Sequence, residues 1–237
     1  MSPWWYRRRP LLILVIYLIG FYAGWWLWYR ATGDSAYAPS YVWIARGVHV
    51  SSRTVLWIGT AFAFAGWAAR LWGSAYLSTA VVWNRDALQG ALFVDGPFRF
   101  VRNPLYLGND LQAFGIGLLA SPIGLGIIVI GNIVFTAALA AHEATGMRAR
   151  YGAAYDAYCR AVPAIVPRLF PARVDGAARG RPTLGAGLRA EFLTTSFALG
   201  MLAYTLTSSL WALWVLIAIG WIAQAFARAQ TPATSAA

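Results

Sequence analysis

The sequence predicts an all-α integral membrane protein of about six transmembrane helices, and three observations carry that expectation. Hydrophobic residues fill 59% of the 237 positions and charged residues only 11%, whereas a soluble domain carries about 25% charged residues. The apolar residues come in runs long enough to cross a hydrocarbon core. All 19 basic residues are arginine, and they collect in connectors and termini. The net charge of +11 therefore reads as membrane topology and not as a nucleic-acid groove. Cys159 is the single cysteine, so an intrachain disulfide is excluded.

Six spans follow from the apolar runs: about 11–28, 54–72, 106–121, 123–142, 192–207 and 209–227. Eighteen helical residues rise roughly 27 Å, near the thickness of the bilayer core. The first run follows Arg7, Arg8 and Arg9 and ends in bulky Trp and Tyr, which suits a retained helix better than a cleaved signal. Spans three and four form a hairpin around Ser121 and Pro122. Gly115, Gly117, Gly124, Gly126 and Gly131 predict close approach of its two helices, and "GFYAG" at 20–24 is a weak small-residue match.

The arginines also predict orientation. With the N-terminus inside, Arg7–Arg9, Arg85, Arg99, Arg102, eight arginines from Arg148 to Arg189 and Arg228 face the cytoplasm, against Arg30, Arg46 and Arg53 outside. Four regions result: an N-terminal two-span region (1–82), a core with the hairpin (83–170), a linker (171–190) and a C-terminal two-span region (191–237). Segment 143–170 extends the fourth span into water or the interface. Tyr151, Tyr155 and Tyr158 share one helical face, either an interfacial belt or a lid over a pocket.

The chemistry concentrates at "GPFRFVRNPLYLGND", residues 96–110. Asn103 before Pro104 is a helix-start signal, with Asn as N-cap and Pro as first helical residue. Free N–H groups and the positive helix end attract an anion there, beside Arg99 and Arg102. The alternative is that both arginines reach to lipid phosphates.

Glu143 is one of only two glutamates and follows His142 at the end of the fourth span. A short hairpin connection brings it near Asn103 and Arg102. It either pairs with one of those arginines or binds the hydroxyls or cation of a ligand.

These stretches, from "VVWNRDALQGALFVDGPFRFVRNPLYLGN" through Glu143 to "RYGAAYDAYCRAVP", resemble the isoprenylcysteine carboxyl methyltransferase and phospholipid methyltransferase superfamily. The resemblance spans residues 83–168. It implies S-adenosyl-L-methionine as cofactor, in a cytoplasmic pocket built by the hairpin and its flanking segments. By position it implies cofactor-binding roles for Gly90, Ala91, Leu92, Phe93, Phe98, Asn103, Pro104, Leu105, Tyr106 and Glu143. Arg102 and Glu143 are expected to carry the chemistry, and no metal is expected. The implied partner is a lipophilic small molecule or a lipid headgroup. Asn103 stands where the family motif carries His. Leu139 replaces an arginine of the prenylcysteine branch, which argues against a prenylcysteine carboxylate as acceptor.

Two other readings stand beside it. "RNPLYLGND" is also similar to the hairpin motif of sterol-reductase-like proteins, which would imply NADPH and hydride transfer. A non-catalytic membrane protein retaining the fold is the third. Outside the motif, His49 reads as a surface residue, and Cys159 as a small residue on an amphipathic helix. Arg70 either snorkels or faces the cavity. Asp110 is expected to pair with Arg70 or Arg102, or to favour the positive helix end.

Overall fold

A computed structural model describes residues 3–33, 39–83, 92–175, 177 and 180–230, with only the backbone of 78–83. Among the described residues the regular elements are helical, as the composition predicts. Helix α1 (Trp4–Arg7) leads into α2 (Arg9–Leu18), which continues through a π-helical turn (Ile19–Ala23) into α3 (Gly24–Thr32). Then come α4 (Ser40–Gly47), α5 (Ser52–Trp83), a 3₁₀ turn (Gly96–Arg99), α6 (Pro104–Gly117), α7 (Pro122–Tyr151) and α8 (Ala153–Ala161). The chain ends with α9 (Leu184–Ala190), α10 (Phe192–Thr207) and α11 (Leu210–Ala229).

Among the described residues four helices are long and apolar enough to cross a membrane: Arg9–Thr32, Ser52–Leu77, Pro122–Tyr151 and Leu210–Ala229. The other two expected spans are shorter. Helix α10 has 16 residues and α6 has 14, about 24 and 21 Å. Helix α6 also carries Asn109, Asp110 and Gln112. Short polar helices are tolerated where neighbouring helices cover them, and α6 lies between α5, α7 and α10.

Most of the close approaches fall outside the hairpin. A Cβ on Gly108 would lie 2.6 Å from Gly66 O, and one on Gly115 would lie 2.5 Å from Gly59 O. Glycines seven residues apart on α5 and α6 thus form a seam of backbone contact. Gly124 of α7 instead meets Gly20 and Gly24 of the first span, Gly131 meets Ile16, and Gly126 has open space. Gly117 alone of the five packs against α7, at Leu125 and Ile128. The "GFYAG" stretch therefore sets the antiparallel register of the first span on α7.

A buried polar network ties α5 and α6 to the C-terminal helices. Arg70 donates from Nε to Glu191 Oε2 at 2.7 Å and from Nη2 to Oε1 at 3.0 Å. Its Nη1 reaches Asn109 Oδ1 at 2.7 Å and Leu105 O at 3.3 Å. Ser74 and Thr194 hydroxyls also donate to Glu191, which is 2% exposed. So Arg70 neither snorkels nor pairs with Asp110. Asp110 turns to the opposite side of α6 and accepts from Asn132 at 2.8 Å and Thr136 at 3.1 Å on α7.

Candidate functional site

The corner that the motif builds is held by backbone hydrogen bonds between two connector segments. Arg102 N donates to Pro163 O, Arg168 N to Phe100 O and Ala172 N to Arg99 O, at 2.8–3.0 Å. Segment 98–102 is thereby fixed under residues 163–172. Arg99 Nε returns a bond to Ala172 O at 3.0 Å.

Beneath this clamp Leu92, Val94, Tyr155, Tyr158, Val162 and Ala172 form a buried apolar cluster, with Phe98, Met147, Tyr151 and Cys159 against it. Phe93 stacks edge-on to Phe98 at 6.5 Å. Tyr158 donates to Phe98 O at 2.8 Å. Tyr155 and Tyr158 are therefore interior groups of a cap, not an interfacial belt. Burial raises the pKa of both hydroxyls above the ordinary phenol value.

Asn103 occupies the N-cap position of α6 with Pro104 first in the helix, but its side chain makes no cap bond. Its amide donates to Ala164 O at 3.0 Å, which ties the start of α6 to the overlying 163–172 segment. Pro104 and Leu105 lie against Gly73 of α5. Arg102 does not reach Glu143. Its Nη1 lies 2.8 Å from Cys159 Sγ on α8. Its Nε is buried without a hydrogen-bond partner among the described residues.

Glu143 has other company. Tyr106 and Tyr6 each donate to its Oε1 at 2.7 Å, and Arg9 Nη1 lies 3.6 Å from the same atom. The ring of Tyr6 lies 4.8 Å from that of His142, and Trp5 lies 5.4 Å from His142. Arg9 sits over the face of Tyr6, 4.8 Å from its centroid. Burial, and next the Glu143 carboxylate, raise the pKa of Tyr6.

Asn103 and Glu143 thus share one side of the molecule, with Tyr106 joining their helices one turn into α6. Leu92, Phe93 and Phe98 gather in the cap, while Gly90 and Ala91 lie outside the described residues. Sequence reasoning missed Tyr6 and Arg9, which looked like topology signals, and Glu191, the second glutamate. A triplet of arginines carries no mark of which one will meet a carboxylate 134 positions away.

Among curated proteins none matches the chain, and none matches among solved structures. A family model does match, over residues 54–154, and its description is phospholipid methyltransferase. The matched stretch holds nearly all of α5, segment 98–102 of the clamp, the α6–α7 hairpin and Glu143, much of the corner that the motif resemblance singled out; the clamp's other segment, residues 163–172, lies beyond it. Set among helices long and apolar enough to cross a bilayer, residues 54–154 are similar to the phospholipid methyltransferase family over that stretch.

Proposed function

We propose that this protein transfers a methyl group from S-adenosyl-L-methionine to a lipophilic small molecule or a lipid headgroup, on the cytoplasmic face of the membrane. One observation carries the reading: inside a stretch similar to a methyltransferase family, Glu143 is held by two phenols and flanked by aromatic rings. A carboxylate beside aromatic faces suits a sulfonium. The buried, unpartnered Nε of Arg102 wants an acceptor, which the carboxylate of the same ligand would supply. Residues with both charges at one corner fit a zwitterion of this kind.

When bound, S-adenosyl-L-methionine supplies an electrophilic methyl group on sulfur. The chain's contribution is placement. Glu143, with Tyr6 and Tyr106 fixing its oxygen, holds the positive end. Arg102 and the start of α6 hold the negative end. Leu92, Phe93 and Phe98 supply an apolar wall that excludes water. Pro104 and Leu105 press the start of α6 onto α5. Asn103 cannot accept a proton near neutral pH, so any proton the acceptor loses goes to another group. Rate enhancement then comes from holding the nucleophile in line and dry. The excess of arginine on the Glu143 side favours the cytoplasm for that face.

Calorimetry on the purified full chain tests this. Binding of S-adenosylmethionine and of its demethylated product is expected, with loss of both in Glu143→Ala. Heat for NADPH and for neither of those ligands would turn the reading toward hydride transfer. Arg102→Ala is expected to weaken the cofactor more than it lowers the melting temperature. Labelled methyl groups appearing in a lipid extract would then name the acceptor.

A further inference from the structure

The matched stretch begins at residue 54, yet Tyr6 and Arg9, which with Tyr106 contact the Glu143 carboxylate, both precede it. The register of the first span explains how. Gly24 meets Gly124, Ile16 meets Gly131, and Tyr6 meets Glu143, so an antiparallel seam on α7 delivers the N-terminal segment to the carboxylate. There Arg9 does two things at once. Its guanidinium lies 3.6 Å from Glu143 Oε1 and covers the face of Tyr6 at 4.8 Å. Those are the two features, a carboxylate and an aromatic face, that a ligand cation would use.

We infer that the N-terminal segment completes the cation subsite at Glu143, with Arg9 as a resident cation that a sulfonium displaces. The inference rests on the reading of this corner as the S-adenosylmethionine site. It adds that residues outside the matched stretch set how the site treats charge. S-adenosylmethionine must displace Arg9 to reach Glu143. S-adenosylhomocysteine, whose sulfur is neutral, has no such need. Arg9 therefore narrows the preference for methyl donor over product. Both side chains are partly exposed, at 46% for Arg9 and 37% for Glu143, so the effect is that of a surface ion pair, at most about fivefold.

The test is the ratio of dissociation constants for S-adenosylhomocysteine and S-adenosylmethionine, measured by calorimetry on the full chain and its variants. Arg9→Gln is expected to tighten S-adenosylmethionine about threefold and to leave S-adenosylhomocysteine unchanged. Arg7→Gln, at an exposed arginine two residues earlier, is expected to leave the ratio alone. Tyr6→Ala, which removes the ring face, is expected to weaken S-adenosylmethionine about threefold relative to the product. An unchanged ratio in Arg9→Gln, an equal change in Arg7→Gln, or equal weakening of both ligands in Tyr6→Ala would overturn the inference while leaving the cofactor reading intact. A wild-type chain that binds neither ligand would remove both.

Discussion

Tyr6 and Tyr106, a hundred residues apart in sequence, donate to the same oxygen of Glu143, each at 2.7 Å. Two phenols on one carboxylate oxygen hold it in a single orientation, since the side chain can no longer rotate without breaking both bonds. Glu143→Gln keeps the shape and removes the charge. Affinity for S-adenosylmethionine is expected to fall at least tenfold, about 1.4 kcal/mol. The melting temperature should hardly move, because the group is partly solvated. A large loss of thermal stability with unchanged affinity would make the residue a structural one.

The Arg70–Glu191 pair is of another kind. It is two-pronged and buried, and further donors satisfy the carboxylate. Removing one partner leaves a charge without compensation, so Arg70→Met and Glu191→Leu are each expected to cost about 3–5 kcal/mol. The double variant Arg70→Met, Glu191→Leu should lose less than the two single losses added together. Chemical or detergent unfolding of all three variants checks this, and simple additivity would deny the coupling.

Glycine substitutions separate contact from propensity. Gly108→Val would drive carbon into Gly66 O, a backbone atom that cannot step aside, and a loss of about 3 kcal/mol is expected. Gly126→Ala has open space and should be neutral or stabilising by up to about 1 kcal/mol. Thermal melts of the two proteins should diverge in opposite directions.

The cap has a pH signature. The folded pKa of Tyr158 is raised, chiefly by burial, so its contribution is fully present below the free-phenol value of about 10. That contribution is lost as pH rises above 10 toward the folded value, because the unfolded chain then releases a proton the folded one keeps. Melting temperature should therefore be flat with respect to Tyr158 up to about pH 10 and decline beyond it. Tyr158→Phe should be less stable at neutral pH and show a shallower decline, which a pH series of melts would reveal.

Much of the molecule was legible before any coordinates. The apolar runs announced the helices, because a backbone in hydrocarbon must satisfy its own hydrogen bonds. Pro104 announced the start of α6, and the short Ser121–Pro122 turn put Glu143 on the same side as Asn103. Span count was legible less well: α6 looks like a span in composition but is shorter than a bilayer core, and its polar residues are tolerated only because other helices cover it.

Side-chain partners were not legible. Asp110, expected at Arg70, Arg102 or the positive helix end, found Asn132 and Thr136. Asn103 was expected to cap its helix and found Ala164 O. An ion pair of Glu143 with Arg99 or Arg102 was one reading, and Glu143 found Arg9 while Arg102 found Cys159. Each reverses for the same reason: hydrogen-bonding groups choose among neighbours within about 3 Å, and those neighbours come from segments tens of residues away. Hydrophobic periodicity and chain breakers are local properties, so helices and their order could be read from residues alone. Which glycine meets which, and which cation reaches Glu143, depended on the register of one helix against another, and register is a property of packed surfaces.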